Sequence, residues 1–342
     1  MDKNIGVLGA GSWGATLAGL LSEKGYAVTI WEFNPEKAKE LSSWRVLNFF
    51  PHFIIPKDIV ITSDLQTAVK NKDIVLFALP SHTLRNAAKN IAASGTDLSG
   101  TIVVSATKGI ENGTLKTMSE IISEEIPQVA GRVVALSGPT HAEEVSQKIA
   151  TSAAVASNNA EAAKICQEVF STGYFRVYTH SDIKGVETGA ALKNVFAIAA
   201  GICDGIGLGD NTNAALVTRG LRELIRLGVR MGGRPATFMG LTGLGDLIVT
   251  CFSRHSRNRA IGEKIGKGKS LGEAEKELVM VAEGVKTAKS AYELGKQFNL
   301  ELPIIEQVYS VIYEGKPPKN AVNELMARKL KAENEDEEEI VL

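Results

Sequence analysis

Short apolar runs rich in valine and isoleucine recur through the first half of the chain. NIGVLG, AVTIWE, DIVIT, DIVLFALP, TIVVSAT, RVVALSG, TSAAVAS and FRVYT have the length and β-branched content of strands. Segments of helical periodicity separate most of them, for example 83–94, 115–125 and 160–170. Strands that are apolar without alternation are buried on both faces. The pattern therefore predicts a doubly wound α/β domain over 1–182, its parallel sheet covered by helices on each side. In such a sheet ligands bind at the carboxyl ends of the strands. Past residue 182 the strand signal stops. GVETGAALKNVFAIAAGICDGIG and NTNAALVTRGLRELIRLGVRMGG predict long helices closed by glycine. Further helical patterns run to about residue 331, broken at KPPK (316–319), which gives a helical domain over 183–332. The remaining stretch, 333–342, opens with ENEDEEE, a like-charge run that predicts a solvated, frayed tail with no site in it.

Composition changes this picture little. The chain of 342 residues is 44% hydrophobic and 23% charged, enough for two ordinary globular cores. A net charge of −1 gives no footprint for nucleic acid or an anionic membrane. No uninterrupted apolar run approaches the ~18 residues of a membrane span, and the first strand begins too early for a signal peptide. Three scattered cysteines and five scattered histidines fit neither a disulfide framework nor a metal site. The expectation is a cytoplasmic protein without metal or membrane insertion.

The first candidate for chemistry is GAGSWG, residues 9–14. Gly9, Gly11 and Gly14 fit G-x-G-x-x-G between a strand and a helix, where a tight turn brings backbone N–H groups up to a pyrophosphate. The plain alternative is a glycine-rich connection, which leaves unexplained why Trp13 sits in the turn. A second candidate is Lys193, inside ETGAALKNVFAIAAGI. Apolar or small residues surround it on every helical face, so its ammonium is either desolvated, with a lowered pKa suited to proton transfer, or snorkels to the surface. The third is GLTGLGDLIVTCFSRHSRNRAIG. There Asp246 lies in a glycine-rich loop, and Ser256, Arg257 and Asn258 open a helix where an anion could dock. Lys108, in SATKGIE, follows the fifth strand at the ligand-binding edge of the sheet. A surface lysine in a turn, and a solvated basic helix start, are the simpler readings of the last two.

GAGSWGATLA, ALPSHTLR, SATKGIE, SGPTHAEEV, ALKNVFAIAAGICDGIGLGDNTNAAL, TGLGDLIVTC, SRNRAIG and AEGVKTAKSAYEL occur in this order. Together they resemble the bacterial-type NAD(P)-dependent glycerol-3-phosphate dehydrogenases over residues 4 to 331. The resemblance implies an N-terminal Rossmann-type doubly wound sheet followed by an all-α C-terminal domain. It also implies a homodimer that supplies glycerol phosphate for phospholipids. It assigns Lys193 as proton donor and acceptor. Lys108, Gly138, Thr140, Asp246, Ser256, Arg257 and Asn258 become contacts to a small phosphate substrate, as does Lys193. Ser12, Trp13, Lys108, Ala142, Arg257, Val281 and Glu283 join the three glycines as cofactor contacts. Two departures matter. THAEEV stands where the family more often has SFAEEV; Thr140 keeps a hydroxyl, and His141 acquires no role. Phe33 stands where bacterial members usually carry a basic residue.

On this reading the reaction is hydride transfer between a nicotinamide and C2 of glycerol 3-phosphate, with dihydroxyacetone phosphate as the other partner. Lys193 moves the proton, Asp246 orients Lys193 or a substrate hydroxyl, and Lys108 adds positive charge. Glu32, which ends the second strand 18 residues after Gly14, has the offset at which an acid bonds the ribose hydroxyls of NAD. With Phe33 unable to bind a phosphate, NAD(H) is favoured and NADP(H) remains possible. Two other functions share the fingerprint: a 3-hydroxyacid dehydrogenase, which would lack the Ser-Arg-Asn anion site, and a nicotinamide-binding sensor without turnover. Tyr292 and Lys296 also form a Y-x-x-x-K, but far from the fingerprint, and read as helix surface.

Overall fold

The computed structural model describes residues 3–278 and 281–333. The acidic tail, apart from Glu333, lies outside the described residues. The chain divides into two compact units, 1–107 with 118–183, and 108–117 with 184–342.

The first unit holds ten strands: β1 (Asn4–Leu8), β2 (Ala27–Trp31), β3 (Val46–Leu47), β4 (Phe50–Ile54), β5 (Val60–Thr62), β6 (Ile74–Phe77), β7 (Ile102–Ser105), β8 (Val133–Ser137), β9 (Thr151–Ala156) and β10 (Phe175–His180). Its helices are α1 (Ser12–Glu23), α2 (Pro35–Trp44), α3 (Leu65–Val69), α4 (Ser81–Ala93), α5 (Met118–Glu125), α6 (Ala142–Val145) and α7 (Ala160–Phe170). Eight strands form one sheet in the order β10-β9-β8-β7-β6-β1-β2-β5. Successive connections run outward on either side of the β1–β6 pair, so the topological switch point lies there. Ile5, Val7, Ile74, Leu76, Val104 and Val134 are buried in one apolar layer, while Leu8, Val75, Phe77 and Val103 belong to another. Burial on both faces is what the unalternating runs require.

Two features depart from the sequence reading. The sheet is not parallel throughout, because β9 pairs antiparallel with β8, through Ala135↔Ala156 and Ser137↔Ala154. The connection between them carries only the four-residue α6, too short to return the chain along a strand as a parallel crossover must. The second departure is an antiparallel hairpin, β3–β4, whose stretch WRVLNFFPHFI is apolar without alternation and contains Pro51. It closes over α1 where that helix is bare: a Cβ on Gly19 would lie 2.5 Å from the Phe53 ring.

The second unit is built from α8 (Ile183–Gly205), α9 (Asp210–Arg230), α10 (Pro235–Phe238), a π-helical turn (Leu241–Gly245), α11 (Asp246–Phe252), α12 (Arg257–Gly266), α13 (Leu271–Lys276), α14 (Glu283–Gln297), α15 (Pro303–Tyr313) and α16 (Pro318–Met326). The last helix stops five residues short of the expected end. Every residue of α8 from 185 to 203 is buried. By length and composition α8 and the stretch Pro235–Phe252 could cross a membrane, although neither is an uninterrupted apolar run, since Glu187 and Lys193 interrupt the first and Asp246 the second. The window in α8 is wholly buried within the protein, as in the central helix of a globular core. Residues 108–117, which the sequence reading gave to the sheet domain, belong to this helical unit. Ile110 is part of its core, and the Ser290 hydroxyl on α14 donates to the Ile110 carbonyl at 3.0 Å.

Candidate functional site

In the first unit the glycine fingerprint divides its work among three positions. Gly9 has φ +113°, and a Cβ there would lie 2.5 Å from the Ala78 carbonyl oxygen. A Cβ on Gly14 would lie 2.0 Å from the Gly9 oxygen. These two glycines are imposed by the turn and by helix–strand contact. At Gly11 a Cβ would meet nothing within 4 Å. This open position begins α1, which has no side-chain N-cap and no acidic residue in its first turn. Its leading N–H groups, at the positive end of the helix dipole, suit an anion. A dinucleotide pyrophosphate fits this cradle, which lies at the carboxyl end of β1 beside the switch point.

The other expected cofactor and substrate residues of this unit are arranged around strand ends. Ser12 is buried. Trp13 is only partly exposed and packs on Phe175, with ring centroids 6.4 Å apart, so the indole anchors the turn to the core. At the end of β2, Glu32 accepts a hydrogen bond from the Asn34 N–H at 3.2 Å, and Phe33 is 68% exposed. Lys37 and Lys39 lie inside α2. After β8, Gly138 has φ +143° and a Cβ there would lie 3.0 Å from the Ala153 Cα. The Thr140 hydroxyl donates to the Gly138 carbonyl at 3.2 Å, and Ala142, buried, begins α6.

The second unit holds the ionisable cluster. Asp246, 1% exposed, begins α11 straight after the π-helical turn. One of its carboxylate oxygens accepts from Lys193 and the other from Lys108, the latter at 2.8 Å. Lys193 Nζ also donates to the Thr250 hydroxyl at 2.8 Å. Thr250 Oγ1 in turn donates to the Asp246 main-chain oxygen at 2.5 Å, so its lone pairs are left to receive the lysine. Asp246 and Thr250 are four residues apart and share one face of α11. That spacing was the available signal for Thr250, which the sequence reading missed because a threonine in an apolar helix is unremarkable. Lys193 does not snorkel: it is buried and paired.

Burial sets the protonation of this group. Desolvation is the largest influence on Lys193. With repulsion from Lys108 it outweighs the attraction of Asp246 and lowers the pKa from 10.5 to about 7. For Asp246 burial pushes upward, but Lys108 and Lys193 together overcome it and hold the carboxyl below its ordinary value. Two lysines on one carboxylate leave the cluster with one net positive charge when Lys193 is protonated.

A second network ties three helices together near this cluster. Asn258 on α12 donates through Nδ2 to Asn194 Oδ1 on α8 at 2.8 Å, and its Oδ1 accepts from the Gly284 N–H on α14 at 2.8 Å. Ser256 is the N-cap of α12 and accepts from the Arg259 N–H at 3.2 Å. Arg257, in contrast, is exposed, and its guanidinium donates to the Val281 carbonyl at 3.2 Å. Glu283 opens α14. Arg257, Asn258, Val281 and Glu283 are therefore gathered at the start of α12 and α14. Asn258 spends both ends of its amide on structure, keeping one N–H for anything else. Tyr292 stacks on Tyr309 at 3.9 Å between centroids, and Lys296 lies over the Tyr292 ring, as expected of a helix face.

Models of the NAD-dependent glycerol-3-phosphate dehydrogenase N-terminus and C-terminus match residues 4–163 and 182–323. The chain is 50% identical over 330 residues to "Glycerol-3-phosphate dehydrogenase [NAD(P)+]" of Fusobacterium nucleatum, covering 96% of this chain and 98% of that one. It is 46% identical over 337 residues to the Enterococcus faecalis protein of the same name, covering 98% of each. Among solved structures, the glycerol-3-phosphate dehydrogenase of Coxiella burnetii superposes with a TM-score of 0.90 at 34% identity. It covers 96% of this chain and 99% of that one.

Proposed function

The chain belongs to the NAD-dependent glycerol-3-phosphate dehydrogenase family and is an oxidoreductase, and from that premise we propose how its own residues carry the reaction. The Gly9–Gly14 turn and the start of α1 would hold the pyrophosphate of a nicotinamide cofactor, which when bound would supply or take the hydride. Lys193 gives a proton to the carbonyl oxygen at C2 of dihydroxyacetone phosphate in reduction and removes it from the C2 hydroxyl in oxidation. Two of its three N–H groups serve Asp246 and Thr250, and the third is aimed by them at the substrate oxygen. Asp246 acts in this reading as the orienter of Lys193, which its Oδ1 accepts from, while Lys108 occupies its Oδ2. Lys108 and the net positive charge of the cluster favour an anionic substrate and stabilise developing negative charge on oxygen. Arg257 binds the phosphate, with Ser256 and Asn258 fixing the start of α12 beneath it. Gly138 and Thr140 complete the substrate contacts; Ala142, Val281 and Glu283 those to the cofactor.

The observation that carries this reading is the buried Lys193–Asp246–Lys108 cluster, which a nicotinamide-binding sensor has no need to maintain. The wider role is that of a cytoplasmic homodimer making glycerol phosphate for phospholipids.

NADH is the preferred cofactor in this reading. Glu32 follows directly on β2, and a 2′-phosphate there meets a carboxylate, a like-charge contact that costs several kcal/mol. The exposed Phe33 ring offers a surface for adenine and no group for phosphate. The test is loss of reduced-nicotinamide absorbance with dihydroxyacetone phosphate, and with a 3-oxoacid as control. We expect turnover with the phosphate ester alone, and NADH favoured over NADPH by about tenfold in kcat/KM, or ~1.4 kcal/mol. Glu32→Gln should narrow that gap and Phe33→Arg narrow it further. Equal use of NADPH by the unaltered protein overturns the cofactor assignment; absence of turnover overturns the enzyme.

A further inference from the structure

The helical unit has a groove of about 530 Å³ whose lining includes none of the residues of the proposed site. Its floor is apolar, with Leu216, Ile304, Val322 and Leu325, and it extends to Met326 and Leu330, which are 80% and 94% exposed. Its rim is basic. Arg219, Arg222 and Arg226 line it from one face of α9, being three and four residues apart, and Lys329 lines it from the segment after α16. Two of the lining carboxylates are committed. Glu223 accepts from the Ile304 and Ile305 N–H groups at 2.7 and 3.1 Å, and Glu301 pairs with Arg328 at 2.5 Å. Among the described residues Arg219, Arg222 and Lys329 have no carboxylate partner.

The described chain ends in this groove. Leu330, Lys331, Ala332 and Glu333 all line it, and Arg219 donates to the Glu333 carbonyl at 3.4 Å. The next nine residues are NEDEEEIVL, five acidic side chains followed by three apolar ones. We propose that residues 334–342 are the groove's own ligand, with the acidic run on Arg219, Arg222 and Lys329 and the apolar triplet on the exposed floor. Two complementarities, of charge and of hydropathy, coincide. A segment tethered at the mouth of its site has an effective concentration in the millimolar range, so weak contacts suffice to hold it. A like-charge run repels itself in solution; guanidinium groups on the rim remove that penalty.

A glutamate-specific protease acting on the full chain tests this, with cuts in the tail followed by mass spectrometry and compared with a free peptide of residues 331–342. The expected result is a tail cut at least about tenfold more slowly than the peptide, reflecting its tethered occupancy. Protection should fall in about 0.5 M salt, where charges a few ångströms apart are screened, and in the Arg219→Glu, Arg222→Glu double variant. Because that variant changes a folded helix, a second alters only the tail. Glu335→Gln, Asp336→Asn, Glu337→Gln and Glu338→Gln together should speed the remaining cut after Glu339. A tail cut at the peptide's rate in the unaltered protein overturns the proposal, as does protection that survives both sets of changes. Protection lost on dilution, in step with dissociation to monomers, overturns it too, because the occupant would then come from a second copy.

Discussion

Lys193 is poised near neutrality by burial and held there by its partners, which makes the direction of its pH dependence a test of its role. Reduction needs the ammonium, so its rate should fall as pH rises through about 7, while oxidation needs the neutral amine and should rise over the same range. Profiles in the two directions that do not cross in this way would remove Lys193 from proton transfer. Lys193→Met fills similar volume but leaves Asp246 with Lys108 as its one ammonium. We expect folded protein, checked by circular dichroism, with turnover lowered by about 10²-fold or more. Arg257 gives a different expectation. It is exposed and hydrogen-bonded to the Val281 carbonyl, so its contact to a phosphate is screened rather than desolvated. Loss of one hydrogen bond to a charged group, about 1.5–3 kcal/mol, corresponds to roughly 10- to 150-fold in kcat/KM. Arg257→Ala should show this loss with dihydroxyacetone phosphate and none with unphosphorylated dihydroxyacetone; equal losses on both would assign Arg257 to structure.

At the scale of elements, α8 and α12 meet backbone to backbone. A Cβ on Gly201 would lie 2.0 Å from the Arg259 oxygen, and one on Gly262 2.1 Å from the Ile198 oxygen. These glycines let two helices that carry Lys193, Asn194, Ser256 and Asn258 come close enough for the Asn194–Asn258 bond. Gly262→Ala forces the pair apart and should cost about 1–3 kcal/mol, the usual range for overpacking. It should lower the melting temperature and turnover together, and an unchanged melting curve would show that the contact yields freely. The strands around the fingerprint were readable in the sequence because full burial writes itself as unbroken β-branched runs. The β3–β4 hairpin was not, since it lacks alternation, and strand direction is not encoded in apolar content at all, so β9 was misread. Lys193 stood out as a charge in an apolar helix. Thr250 and the bonding of Asn194 did not, because a polar side chain's partner depends on which helix face it meets.

At the scale of the whole molecule, the assignment of residues 108–117 to the helical unit means the chain passes between units three times. Sequence patterning places one boundary, because residues 108–114 carry no helical or strand signal of their own and 115–117 read as the start of a helix that in the structure begins at Met118. A fragment of residues 184–342 therefore lacks part of its own fold. It has no Lys108 for Asp246, no Ile110 in its core, and no Ile110 carbonyl for the buried Ser290 hydroxyl. Unfolding by urea should show this fragment to be less cooperative than one in which residues 108–117 are joined to its N-terminus through a flexible linker. Indistinguishable transitions would show that the ten residues add nothing to stability.

That interleaving also sets a schedule for synthesis. At about 5–20 residues per second, the ribosome releases Lys108 well before α8, α11 and α14 exist, whereas the sheet unit has all its strands once His180 has emerged. Ten residues must therefore wait, because Lys108 precedes Asp246 by 138 residues and Ile110 precedes Ser290 by 180. The proton-transfer cluster cannot assemble on a nascent chain that has completed only its sheet unit. Lys108 is the first residue of that cluster to be made, and it takes its place only after Asp246 has been made.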